Sequence, residues 1–240
     1  MLKNYLYRIF PIVISISVIL FLFAGCGVRR YAKLPQIPNQ HPVRKFEQPK
    51  KSQADSLKAI YGNNKKFADE FIEPALIALS YFPELKDINI KFKYSKEATT
   101  MAARPIPLSV FSNRKYVILI NNKKNFEGIL LENVPFNAQI GIIGHELTHI
   151  VKYNNYNFWG ILGAYFRYFG KNHKPLFEKE VDRATIKRGL GWQLYDWAKY
   201  SLSRDNSASE DYIEFKRNTY MEPDEIKEVI SFLSKYGNIE

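Results

Sequence analysis

Cysteine is almost absent. The 240 residues hold one, Cys26, so no internal disulfide is available and the fold must rest on its own core. Acidic residues are in deficit, 24 Asp and Glu against 35 Lys and Arg, for a net charge of +11. Such a balance favours anionic surfaces. Yet no Arg/Lys stripe with interleaved aromatics runs through the chain, so nucleic acid is not an expected partner. Histidine is scarce too: four, at positions 41, 145, 149 and 173. Internal repeats are lacking. A long apolar run occurs only near the start, from Ile9 to Ala24, and no later stretch is apolar enough to span a bilayer.

That early run follows Lys3 and Arg8, and residues 1–26 contain no acid. A basic segment followed by an apolar one is the order of a secretory signal. The segment ends Phe23-Ala24-Gly25-Cys26, which resembles a bacterial lipobox with Phe23 in place of the usual Leu. The resemblance implies a signal peptide over 1–25 and acyl chains, including palmitate, on Cys26. It implies a lipid-anchored protein of the bacterial cell envelope, outside the cytoplasm. An uncleaved membrane anchor is the alternative. Gly27 is not an aspartate-type retention residue, a hint toward the outer membrane. Residues 26–51 then carry Pro35, Pro38, Pro42, Pro49 and seven Lys/Arg. This reads as a basic, extended tether able to rest on anionic head groups. His41 belongs to it rather than to a site.

From residue 52 to 240 the pattern is that of one folded domain. Apolar residues at helical spacing run from Ser52 to Phe82, broken at Gly62-Asn63-Asn64, with Pro74 expected to kink the second helix. "INIKFKYS" (88–95) alternates, placing Ile88, Ile90, Phe92 and Tyr94 on one side of a strand. "RKYVILIN" (114–121) is a second strand. The stretch between them is a third, broken by Pro105 and Pro107, and prolines belong on edges. From Asn137 onward the signals are helical, with Pro175, Gly189 and Pro223 as boundary marks. Helix, small mixed sheet, then a helical C-terminal half make an α+β fold.

One helix carries the chemistry. "GHELTH" (144–149) sets His145 and His149 four residues apart, on one helical face, where two imidazoles can bind one ion. Glu146 is displaced around the helix and can reach a water without ligating the metal. A third ligand must come from elsewhere. The long metzincin pattern needs a His at position 155, which is Asn155. "FEKEVDRAT" (177–185) instead offers Glu178, Glu180 and Asp182. With His-Glu-x-x-His followed by Glu-x-x-x-Asp, the chain resembles the gluzincin metallopeptidases, in particular the soluble core of the CAAX prenyl protease and HtpX-like group. The resemblance covers these two motifs and the helix–sheet order. Members of that group often carry several transmembrane helices, which this chain lacks after its leader.

The resemblance implies a zincin-like fold and one Zn2+ on His145, His149 and Glu178. Asp182 would orient a ligand histidine, and Glu146 would act as general base on a zinc-activated water. Glu180 faces away as a surface charge. The donor that steadies the transition state is left open among His173, Tyr153, Tyr156 and Tyr220. The aromatic segment with Phe158, Trp159, Ile161, Leu162, Tyr165, Phe166 and Phe169 would line the cleft or touch the membrane interface. A substrate peptide could add to a sheet edge, either Met101–Val110 or Arg114–Asn121. The expected function is a membrane-tethered zinc endopeptidase acting on envelope proteins. The alternatives are a non-catalytic zinc-binding assembly lipoprotein and a zinc hydrolase of another envelope polymer.

Overall fold

A computed structural model describes residues 41–109, 113–156, 160, 163 and 173–237. The expected signal peptide, Cys26, the first part of the expected tether and the aromatic segment named above lie outside the described residues.

Helix α1 spans Lys51–Tyr61 and ends at Gly62. Asn64 follows with φ 60°, a left-handed conformation that asparagine tolerates. The chain does not return to helix at once. Lys65–Lys66 form a short strand, β1, and a turn of 3-10 helix over Asp69–Phe71 leads into α2, Ile72–Ser80. Pro74 sits in the first turn of α2, where its missing N–H is not needed. It therefore helps start the helix and does not kink it. Residues 74–79 of α2 are all buried.

Strand β2 is Asn89–Ser95, β3 is Met101–Pro105 and β4 is Lys115–Asn121. The sheet order is β1-β2-β4-β3, with β2 parallel to β1 and β4, and β3 antiparallel to β4. In β2, Ile90 and Phe92 point into the core while Lys91 and Lys93 face out. Tyr94 breaks the expected alternation: it is 38% exposed, and its hydroxyl donates to Glu70 at 2.5 Å. Strand β4 is the better-buried strand, with Ile118 and Ile120 in the core. Because β4 is flanked on both sides, it cannot receive an added strand. Of the two expected edges, only β3 is one. Pro105 ends β3 and Pro107 opens a 3-10 turn, as proline at an edge should.

Helix α3, Phe136–Asn155, follows Pro135 and touches α2, β3 and the later helices. Helix α4 spans Lys174–Thr185. A wide turn over Ile186–Leu190, with Gly189 at φ 107°, bends the chain straight into α5, Gly191–Ser201. Only glycine adopts that φ cheaply. Helix α6, Glu210–Thr219, is capped by Ser209, whose hydroxyl accepts from the Tyr212 N–H at 3.2 Å. Helix α7, Pro223–Ser231, begins on its proline. The architecture is α+β, a four-stranded mixed sheet with most helices after it.

Residues 43–46 lie against this body. Val43 O accepts from Gln193 at 2.8 Å, and Phe46 N donates to Asn137 at 2.9 Å. Arg44 pairs with Asp196 at 3.1 Å and rests over the Trp192 ring at 4.9 Å. Among the described residues no helix is long and apolar enough to cross a membrane.

Candidate metal centre

His145 and His149 lie one turn apart on α3, and both are buried because that face meets α4. Glu178, on α4, is 1% exposed. The three side chains converge. His145 Nε2, His149 Nε2 and Glu178 Oε2 are each 3.1 Å from the other two. Ligand atoms sharing one ion at about 2.0–2.1 Å in tetrahedral geometry stand about 3.3–3.4 Å apart, so the triangle is close to that size. Two imidazole lone pairs and a carboxylate facing one point repel each other unless a cation lies among them. The donor set therefore fits a zinc-like ion, and among the described residues three groups converge on it.

The tautomer follows from the neighbouring helix. Asp182 Oδ1 is 2.7 Å from His145 Nδ1, which places the proton on Nδ1 and turns the Nε2 lone pair to the centre. Asp182 is held in turn by the Met221 N–H, which donates to Oδ2 at 2.9 Å. The α3–α4 contact is braced by Thr148 and Thr185, whose hydroxyls are 2.8 Å apart. Burial works against a charged His145, but Asp182 and Glu178 outweigh it and push its pKa up to about 10. Burial likewise works against ionised Glu178, yet the two imidazoles hold its carboxyl well below the usual range. Both shifts express one cluster that favours a positive charge at its centre.

Glu146 is buried beside the triangle and is not a corner of it. Its Oε2 accepts from the backbone N–H of Ala103 on β3, at 2.6 Å. Thr100 and Ile106, which flank β3, bond to β4, so by alternation Ala103 presents its N–H outward, to α3. Glu146 and the sheet edge are thus joined directly.

The four candidate donors occupy different places. Tyr220 sets its ring edge-on to His145, centroids 5.6 Å apart, and Tyr153 stacks on His149 at 5.9 Å. Tyr156 terminates α3 and lines a separate surface depression with Arg114 and Asn154. His173 is exposed at the start of α4. Glu180 faces outward and pairs with Lys152 at 3.0 Å. A cavity of about 20 Å³, room for about one water, lies between β3, α3 and α6, lined in part by Met101, His145, Glu146 and Tyr220.

Lys216, on α6, also lines this cavity, and nothing in its sequence setting marks it. Burial pushes its pKa down to about 8, against the pull of Asp182, Glu178 and Glu146. The Ala103 N–H is equally invisible in sequence, since a backbone group has no residue signature. Compared with family models, curated proteins and solved structures, the chain matches none.

Proposed function

We propose that the chain is a zinc-dependent endopeptidase of gluzincin type on a zincin-like fold. It would be tethered through lipidated Cys26 and would cleave proteins of the cell envelope. The observation that supports this reading best is the division of labour on α3 and α4. Three donor atoms meet at 3.1 Å, and a second carboxylate, Glu146, stands beside them without joining. A structural site would be closed by a fourth protein ligand.

A zinc ion held by His145, His149 and Glu178 would supply Lewis-acid polarisation of a peptide carbonyl and of a water. The remaining work falls to the chain's own groups. Asp182 fixes the tautomer and ring orientation of His145. In the chain without substrate Glu146 rests Oε2 on Ala103 N, a bond that a strand pairing on β3 would replace, and its Oε1 has no hydrogen-bond partner among the described residues. That oxygen takes the proton of the attacking water and passes it to the leaving amine. Strand β3 offers the edge along which a substrate strand pairs.

The test is Glu146→Gln, which preserves shape and removes the base. The variant is expected to keep zinc at one ion per chain and to lose about 10²–10⁴ in kcat on a peptide library. Undiminished cleavage by the variant overturns the mechanism. The cavity's small size and the Ala103–Glu146 bond favour a second reading, a zinc-binding assembly lipoprotein without turnover. Zinc-loaded wild type that cleaves no peptide would select it.

A further inference from the structure

Lys216 is the group this mechanism leaves without a task. It is 6% exposed, far below the usual exposure of a lysine. A buried ammonium requires acceptors for three N–H bonds. Lys216 Nζ makes no hydrogen bond to a described residue and is not among the fully shielded atoms left without a partner, so its donors face the cavity. Its Nζ lies 3.7 Å above the Tyr220 ring and 4.9 Å from the Trp197 centroid, so its support on that side comes from aromatic faces. Those rings cannot saturate its donors. The same side chain lines the cavity shared with His145 and Glu146. Three carboxylates, Asp182, Glu178 and Glu146, draw the charge toward the site and help keep it there. The result is a desolvated cation with unused donors, on the wall of the cavity that holds the base.

We propose that Lys216 is the anion-recognising residue of this site, donating from Nζ to a negatively charged oxygen of the bound substrate beside the reacting bond. The oxygen has two sources of one chemistry: a carboxylate carried by the substrate, or the carbonyl oxygen as it gains charge in the transition state. Only the identity of the substrate rests on the peptidase reading. Anion binding by Lys216 does not.

Acetate is therefore the first probe, with acetamide as its neutral control, titrated into zinc-loaded full-length protein. Wild type is expected to bind acetate and not acetamide. Lys216→Met is expected to weaken acetate by at least about tenfold, and Lys216→Arg by no more than about threefold, since a charged hydrogen bond is lost in one and kept in the other. Equal acetate affinity in wild type and Lys216→Met overturns the proposal. In the wild type alone, acetate is expected to shift the Lys216 side-chain NMR resonance, so the test survives a variant that fails to fold. An unmoved resonance at saturating acetate overturns the proposal. Peptides ending in a free acid or an amide just after the cleaved bond separate the two sources. A loss in Lys216→Met confined to the free acids and carried by KM identifies a substrate carboxylate. A loss of about 10²–10³ in kcat on both sets identifies the carbonyl oxygen. Unchanged kcat/KM on both overturns the proposal. If wild type cleaves no peptide, the peptidase reading fails while the acetate titration still decides Lys216.

Discussion

Asp182 touches no metal position, yet both its oxygens are committed, one to His145 Nδ1 and one to the Met221 N–H. Replacing it with Asn keeps the shape and one acceptor oxygen, but its amide NH2 cannot accept both bonds. Asp182→Asn is expected to weaken zinc binding by about 10–100-fold, measured by competition with a chromogenic chelator. Unchanged zinc affinity would show that His145 is oriented without it. At this scale the motif on α3 was readable directly: four-residue spacing on a helix fixes His145 and His149 on one face. Glu178 and Asp182 were readable only through resemblance, because the sequence does not say that α4 turns that face to α3. Lys216 was not readable at all. In "EDYIEFKRNT" it looks like any lysine on a polar helix, and only the packing of α6 over the cavity buries it.

Among the elements, the close approach of α3 and α5 governs how the site is held. A Cβ added to Gly141 would stand 2.2 Å from Gln193 O, a backbone atom that cannot swing aside. Gly144 is different: its nearest neighbour is the flexible Leu190 Cδ1, at 2.6 Å. Gly141→Ala is therefore expected to lower stability by about 1–3 kcal/mol through overpacking, and Gly144→Ala by less. Thermal unfolding of the zinc-loaded variants checks this, and an equal or reversed ranking would argue against a backbone-to-backbone contact. The sequence carried the starts of α3, α4 and α7, because Pro135, Pro175 and Pro223 mark them chemically, but Gly189, expected to cap α4, sits in the bend beyond its end at Thr185. It did not carry β1, since two lysines have no strand pattern and owe their pairing to β2. Nor did it reveal that residues 43–46 dock on the body. Proline and basic charge read as tether, while Phe46 and Arg44 find partners on α3 and α5 that are far away in sequence.

For the whole molecule, the buried cluster ties stability to pH and, on the zinc reading, to metal. In the zinc-free chain the raised pKa of His145 contributes stability that is fully present below its ordinary value of 6.5. That contribution is lost as pH rises toward about 10. The depressed pKa of Glu178 contributes stability present above its ordinary 4.5 and lost on acidification below that value. The melting temperature of chelator-treated protein is thus expected to fall between pH 7 and 10. On the zinc reading the metal would take the proton's place at His145, His149 and Glu178, so its stabilising increment should grow over the same range. Calorimetry with and without chelator measures the gap, and a gap that narrows with pH would count against this ligand set. The hydrogen bond from Ala103 to Glu146 has a kinetic meaning at the same scale. On the peptidase reading, a peptide reaching β3 does not enter an idle groove. It displaces an occupant that is part of the chain and never diffuses away. The opening frequency of that one bond then sets a ceiling on association that added substrate cannot raise.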